Sequence, residues 1–245
     1  MPEIEAATLH LAQRCGMTVP EIRTLSVGER GFMLIRRFDR YWAAPGIHPE
    51  PHMLFAPTAP SDGMIEKRLG FVTGLTLLAC DETSARNQSY GLLAQAIRRH
   101  CHPKLIRDNN RELFLRMVYN IFVSNDDDHL RNHGFLWDPT LKGWRLSPLY
   151  EVMPRPSSAC ERFLFLGVGP QGRQAHLDNA MAAREMFSLS EKDAAFLIAQ
   201  VWREVREWKV HFEGFGASAQ AMEQAAAAFR HIDEISSVRL RAKLP

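Results

Sequence analysis

Hydrophobic residues recur along most of this chain with the spacing of amphipathic helices. The first such group lies near the start of the chain and consists of Ile4, Ala7, Leu11 and Cys15. Intervals of three and four residues place these side chains on one face of a helix over residues 4–15. A similar apolar face returns in the C-terminal part, at Leu197, Val201, Val205, Trp208 and Phe212. Between them, the apolar run 111–123 predicts a buried helix, so the pattern as a whole favours a mainly helical protein.

Two pairs of short apolar runs predict β-hairpins. Residues 22–27 and 32–38 flank a Gly-Glu-Arg-Gly connection, and residues 133–137 and 144–146 flank a turn that contains Asp-Pro. The remaining segments are predicted as a long loop over 41–70, small helices over 71–80 and 89–100, a loop over 154–175 and a helix over 219–229. The sequence therefore predicts an α+β fold that is mainly α.

The composition indicates a globular protein but does not identify a binding partner. The 245 residues are 46% hydrophobic and 24% charged, which is typical of a globular protein with one large domain or two small lobes. The net charge of +2 gives no reason to expect direct binding to nucleic acid. No apolar run of about 18 residues and no signal peptide is found, so we expect no membrane partner and a cytoplasmic location.

The densest group of polar side chains directly follows the predicted buried helix. Asp126, Asp127 and Asp128 are adjacent, and three neighbouring carboxylates repel one another unless water, a cation or a guanidinium offsets the repulsion. Asp127 and Asn132 have the Asp-to-Asn separation of a kinase catalytic loop, in which the Asp positions the substrate hydroxyl and the Asn binds magnesium. Glu151 ends the second hairpin, which returns it toward the bend, where it could share a metal ion.

The spacing alone leaves other interpretations open. Residues 126–129 could form a solvated turn with Asn132 as a cap. His129 and His133 are four positions apart beside the carboxylates and could bind a transition metal that supports hydrolysis. We expect instead that His129 braces the bend through a hydrogen bond at a ring nitrogen.

Two longer motifs make the pattern far more specific. Residues 124–136 read Ser-Asn-Asp-Asp-Asp-His-Leu-Arg-Asn-His-Gly-Phe-Leu, and residues 143–151 read Gly-Trp-Arg-Leu-Ser-Pro-Leu-Tyr-Glu. Together they closely resemble the HipA family, the serine/threonine kinase toxins of bacterial toxin–antitoxin pairs. The resemblance covers nearly the whole chain and corresponds to the later part of the family's usual length. It implies a helical, protein-kinase-like C-lobe over 41–245, preceded over 1–40 by a remnant of the N-lobe with a helix, a hairpin and a hinge.

The resemblance also implies an activity, its cofactors and its partners. These are ATP- and Mg²⁺-dependent phosphoryl transfer to a protein serine or threonine, an aminoacyl-tRNA synthetase as the substrate, and a helix-turn-helix antitoxin as a partner. Asp127 matches the catalytic aspartate, while Asn132 and Glu151 match the metal ligands. Four residues match the hinge that contacts adenine and ribose: Arg36, Arg37, Phe38 and Asp39. Glu5 lies in a helix like the one that supports the nucleotide-binding lysine, although a solvated acid in the first helical turn explains it equally well.

Two departures from the family keep a second function open. The family usually has Asp where this chain has Glu151, and Mg²⁺ tolerates little departure from octahedral geometry. The chain also contains neither a Gly-rich loop nor a strand with the nucleotide-binding lysine. The alternative is a truncated or split kinase remnant that acts as a non-catalytic binding subunit, paired with a separately encoded N-lobe or an antitoxin. Such a C-lobe is expected to expose an apolar surface near residues 4–38.

Overall fold

The computed structural model describes residues 2–28, 30–47 and 61–245. The α-helices are α1 (Pro2–Arg14), α2 (Gly74–Leu77), α3 (Tyr90–His100), α4 (Ile106–Val123), α5 (Leu177–Ala182), α6 (Glu191–Val205), α7 (Trp208–Phe215), α8 (Ala219–Ala225) and α9 (Val238–Arg241). The strands are β1 (Ile22–Val27), β2 (Arg30–Ile35), β3 (Arg40–Ala43), β4 (Ile65–Arg68), β5 (Phe71–Thr73), β6 (Gly134–Asp138) and β7 (Gly143–Leu146). Within the described ranges, no helix combines the length and apolar character needed to cross a membrane.

The strands form three small antiparallel sheets. β1 pairs with β2, β3 pairs with β4, and β6 lies between β5 and β7. Both predicted hairpins are confirmed, but β2 covers Arg30–Ile35 and not the predicted 32–38, because Arg30 and Gly31 pair with β1. The prediction of an unbroken loop over 41–70 is wrong at its two ends, because β3 and β4 pair there, and residues 48–60 lie outside the described residues. These strands are four residues long and far apart in the chain, so no periodicity reveals them.

Several predicted helices have different ends in the structure. The helix predicted over 71–80 begins only at Gly74, because the β-branched and aromatic residues before it extend the sheet as β5. The C-terminal apolar face is shared between α6 and α7. α6 begins at an N-cap, Ser190, whose hydroxyl accepts a hydrogen bond from the Asp193 amide at 3.1 Å. The irregular segment predicted over 154–175 is confirmed.

The main hydrophobic core surrounds α4. Every side chain from Leu113 to Val123 is buried, and α1 contributes Ile4, Leu9 and Leu11 to the same core. The Tyr119 hydroxyl of α4 donates to the Thr8 carbonyl of α1 at 2.6 Å, which satisfies a buried polar group between the two helices. α4 is therefore fixed on several sides, and its C-terminal end has a defined position. The division into domains at residue 40 stays a prediction.

Candidate active site

The acidic bend begins where α4 stops abruptly. Ser124 follows the helix in the left-handed conformation, with φ at 53°, and its hydroxyl donates to the Ala228 carbonyl at 2.7 Å. Further on, the 3₁₀ turn Leu130–Asn132 returns the chain. The Asn132 side-chain amide donates to the Asp127 carbonyl at 3.1 Å. The structure therefore brings Asp127 and Asn132 together at the surface, at the end of a buried helix.

The three adjacent carboxylates occupy different environments. Asp126 and Asp127 are half exposed and share Arg155, whose Nε lies 3.2 Å from Asp126 Oδ1 and whose Nη2 lies 2.6 Å from Asp127 Oδ2. Asp128 is buried, and burial raises its pKa well above the usual range. The expected repulsion is thus offset by a guanidinium at two positions and by a tendency toward the neutral acid at the third.

Asp128 belongs to a polar cluster beneath the bend. Its Oδ2 accepts hydrogen bonds from the Tyr90 hydroxyl and, at 3.1 Å, from the Asn120 amide. Asn120 also donates to the Tyr90 hydroxyl at 2.9 Å. These contacts tie the bend to α3 and α4. A simple solvated turn over 126–129 does not describe this arrangement.

The two histidines of the bend do not form a metal centre. Among the residues described, no group of three or more His, Cys, Asp or Glu side chains is placed to hold a metal ion. His133 is buried, which lowers its pKa to about 3, and its ring packs edge-on against Tyr90 at 5.5 Å. The predicted ring-nitrogen brace is wrong for Nδ1 of His129, which is buried without a hydrogen-bond partner within the described ranges. The His129 ring instead contacts Phe165 edge-on at 5.8 Å.

After the β6–β7 hairpin, the chain contacts the bend through Tyr150, the residue before Glu151. Buried Arg116 of α4 donates to the Ser147 carbonyl at 2.6 Å, which fixes the end of the hairpin. The Tyr150 hydroxyl then donates to the Arg131 carbonyl at 2.6 Å, next to Asn132. Glu151 itself is exposed and has a left-handed backbone, with φ at 56°. For a residue other than glycine this conformation costs of order 1–3 kcal/mol, and such residues cluster at functional sites.

Glu5 of α1 faces the same region. Its carboxyl is partly buried, and its pKa is raised first by burial and second by the negative charge of Glu151. A freely solvated acid would show neither effect, so the structure places Glu5 toward the site. Carboxylate and amide oxygens are the ligands that Mg²⁺ prefers. The side-chain nitrogen of Asn132 donates to the Asp127 carbonyl, so its side-chain oxygen could bind a cation. A cation near Glu151 would also reduce the repulsion between Glu151 and Glu5.

A cavity of about 310 Å³, called the hinge cavity below, lies at the segment that the sequence predicts as a hinge. It is lined by Ile35, Arg36, Arg37, Phe38, Asp39 and Phe71. The Phe38 ring packs 5.5 Å from the Tyr150 ring, the residue before Glu151. Arg37 binds both Asp39 oxygens, at 2.8 and 2.6 Å, and so lowers the pKa of that carboxyl. The volume fits the lower end of small-ligand pockets, and Arg36, Phe38 and Asp39 are all at its wall.

The residues that hold the bend are not predictable from the sequence. Tyr90 and Asn120 belong to no recognisable motif, so only the folded structure joins them to Asp128. Arg155 is predictable only in part, because three adjacent carboxylates indicate that a guanidinium, a cation or water lies nearby. Nothing in the spacing identifies which of the chain's arginines supplies the guanidinium.

The helical fold, the acid–amide pair at the end of a buried helix and the neighbouring hinge cavity define a protein-kinase-like C-lobe. The model of the HipA-like C-terminal domain family matches residues 1–209, and the chain belongs to this family. A "Putative kinase" of Haemophilus influenzae is 29% identical over 167 residues, which are 64% of this chain and 43% of that protein. "Putative kinase Y4mE" of Sinorhizobium fredii is 27% identical over 155 residues, which are 62% and 32%. The chain thus spans less than half the length of these relatives.

Two solved structures confirm the fold class. HipA of Shewanella oneidensis, in a complex with HipB and operator DNA, superposes with a TM-score of 0.68 at 15% identity. That match covers 98% of this chain and 54% of the other. The Helicobacter pylori proinflammatory kinase CtkA superposes with a TM-score of 0.58 at 11% identity, over 98% of this chain and 80% of CtkA. At these identities the likeness concerns the fold alone.

Proposed function

We propose that this protein is a serine/threonine protein kinase that uses ATP and Mg²⁺, as part of a toxin–antitoxin pair. The observation that carries the proposal is the Asp127–Asn132 pair, joined by a 3.1 Å hydrogen bond and exposed beside the end of the Tyr150–Glu151 segment. A loop with no function would not need the hydrogen bonds from Tyr90 and Asn120 that hold the bend on the buried core. The membership in the HipA-like family agrees with the same activity.

Each side chain has a role that its position supports. Asp127 would orient the acceptor hydroxyl and take its proton, since its carboxylate is half exposed at the surface. Asn132 and Glu151 would hold Mg²⁺, which neutralises charge on the nucleotide phosphates when bound. Phe38 would pack against adenine in the hinge cavity, while Arg36 and Asp39 would contact the nucleotide from the same wall.

The proposed partners are supported by the family and by one structural relative. The Shewanella oneidensis HipA structure contains HipB and operator DNA, which supports a helix-turn-helix antitoxin as the proposed partner of this chain. The proposed substrate is a protein, with an aminoacyl-tRNA synthetase as the first one to test. A cytoplasmic location is part of the same proposal.

The experiment compares ATP turnover and transfer of radiolabelled phosphate by the natural chain and by Asp127→Asn. The substitution keeps the size of the side chain but removes its ability to accept a proton, so we expect loss of transfer with ATP binding retained. Glu161→Gln, an exposed acid of the later loop, is the matched control and should leave transfer unchanged. Equal transfer by the natural chain and Asp127→Asn would contradict the proposal.

A second candidate function is a non-catalytic binding subunit. The observation that favours it is the exposed apolar face of the β1–β2 hairpin, which includes Leu25, Phe32 and Leu34. In that case the chain would bind a separately encoded N-lobe or an antitoxin through this face and show no transfer of its own. Magnesium-dependent transfer that Asp127→Asn abolishes would decide against this alternative.

A further inference from the structure

We propose that Arg155 is a positioning residue for phosphoryl transfer, which acts by holding the Asp127 carboxylate. This inference rests on the proposed function and adds a residue that the family motifs did not indicate. Arg155 lies four positions after Glu151, in the segment that leaves the site. The same short stretch would therefore supply a metal ligand at one end and the holder of the catalytic acid at the other.

The contacts of Arg155 span the bend. Its guanidinium reaches Asp127 Oδ2 at 2.6 Å through Nη2 and Asp126 Oδ1 at 3.2 Å through Nε. Charge-assisted hydrogen bonds of this length restrict the rotation of a carboxylate. With Oδ2 of Asp127 engaged, Oδ1 is the oxygen that can face an acceptor hydroxyl.

The backbone of Arg155 is itself held in place. Pro154 and Pro156 flank it, and proline restricts both its own backbone and that of the residue before it. Pro154 is buried, and the Arg155 amide donates to the Ser124 carbonyl at 3.3 Å, at the end of α4. The backbone of Arg155 is thus fixed relative to the bend, although the Arg155 side chain is half exposed.

Stability alone does not explain this arrangement. Ion pairs between half-exposed side chains contribute about 0–1 kcal/mol to folding. Holding a reacting group is a different matter, because a misplacement of about 1 Å can cost about 100-fold in rate. The Arg155–Asp127 ion pair adds little stability, but it lies at the proposed reacting acid. We therefore expect it to affect the reaction.

In the transfer step, the acceptor hydroxyl oxygen forms a bond to the γ-phosphorus of ATP. The bond from that phosphorus to the β,γ-bridging oxygen breaks, and ADP leaves with the electron pair. The hydroxyl proton passes to Oδ1 of Asp127. Arg155 stays on Oδ2 throughout, so it affects the turnover number more than the binding of ATP.

The test has a kinetic and a structural readout. We expect Arg155→Ala to lower kcat about 10- to 100-fold with the KM for ATP unchanged, and Arg155→Lys to recover part of the loss because it keeps one charged donor. The structural readout is hydrogen exchange without nucleotide at two amides of the bend. The His129 amide donates to the Asp127 carbonyl at 2.9 Å, and the Asn132 amide donates to the His129 carbonyl at 2.9 Å. Both should exchange faster in Arg155→Ala than in Arg155→Lys.

Arg206→Ala is the matched control, because Arg206 is equally exposed and pairs with its neighbour Glu207 at 3.5 Å. It should change neither readout. Unchanged exchange at the bend, an unchanged kcat, or a rise in kcat for Arg155→Ala would overturn the proposal. If the natural chain showed no transfer, the proposed function would fail, and hydrogen exchange would still decide whether Arg155 orders the bend.

Discussion

The acidic bend and the β1–β2 hairpin are supported in opposite ways. The bend follows α4, whose side chains from Leu113 to Val123 are all buried, and the Tyr90–Asp128 hydrogen bond fixes it from below. The hairpin packs one face on the core through Ile22, Met33 and Ile35 but leaves its other face in solvent. The backbone of the bend that carries Asp127 is therefore held by the core of this chain, whereas the wall of the hinge cavity continues from a hairpin that is covered on one face only.

The exposed face of the hairpin agrees with the apolar surface expected near residues 4–38. Leu25 lies opposite Phe32 in the antiparallel register, and their neighbours Val27 and Leu34 are also exposed. The expectation is wrong for the first helix of that range, because α1 is buried against the core. The difference between the two regions can be tested by removing the same kind of contact from each.

The largest effect is expected in α4. Phe122 is fully buried and stacks on Trp202 with 5.7 Å between ring centroids. Phe122→Ala should lower the free energy of unfolding by about 3–5 kcal/mol, as large-to-small changes in a core do. Urea denaturation measures the change, and Phe196→Ala, at an exposed position of α6, is the control. A loss below about 1 kcal/mol would show that α4 is not the rigid support described above.

The sequence predicted the parts of the molecule that depend on local pattern. The buried helix and both hairpins follow from periodicity and motif order. The approach of Glu151 to the acidic bend stays a prediction, although Tyr150 next to it contacts the bend. The pairing of β3 with β4 could not be predicted, since it joins short segments across a long connection. The sequence also could not predict that Asp126 is half exposed while Asp128 is buried. The burial of Asp128 depends on Tyr90 of α3, which is distant in the chain.

A second effect concerns Asp128 and depends on pH. An acid whose pKa is raised in the folded state binds a proton more tightly there, so stability falls as the pH rises above its unfolded pKa of about 4. Asp128→Asn keeps an oxygen for Tyr90 and Asn120 without a charge to bury. The variant should therefore gain stability relative to the natural chain between pH 5 and pH 8, by about 1.4 kcal/mol for each unit of raised pKa.

Thermal unfolding at several pH values measures this difference. His133, whose pKa burial lowers to about 3, opposes folding below its unfolded pKa of about 6.5. Because its Nε2 lies 4.0 Å from Asp128 Oδ2, only the difference measured above that pH is assigned to Asp128. Asp126→Asn is the control, because that carboxylate is half exposed. A difference between Asp128→Asn and the natural chain that does not grow with pH would mean that Asp128 is not the buried acid of the bend.

A third effect concerns Glu151, the proposed metal ligand that follows the second hairpin. Glu151→Asp shortens the side chain to the length usual in the family, which should improve the geometry around Mg²⁺. We expect ATP to bind about tenfold more tightly in the presence of Mg²⁺, equivalent to about 1.4 kcal/mol, with no change in its absence. Glu151→Gln keeps the length and removes the charge, so it should weaken Mg²⁺-dependent binding. Titration calorimetry that shows no gain for Glu151→Asp would argue against Glu151 as a metal ligand.

The smallest effect on stability is expected in the hairpin. Phe32 is 44% exposed and loses little burial when it is shortened, so Phe32→Ser should cost no more than about 1 kcal/mol, the upper range of a cross-strand pair. The same change removes the centre of an exposed apolar face, so it should reduce concentration-dependent self-association in sedimentation velocity. Val238→Ser, at a more exposed position of α9, is the control for solubility alone. If both substitutions reduced self-association equally, the exposed face of the hairpin would make no specific contribution to it. A large loss of stability in Phe32→Ser would instead show that the hairpin depends on this side chain, as the bend depends on α4.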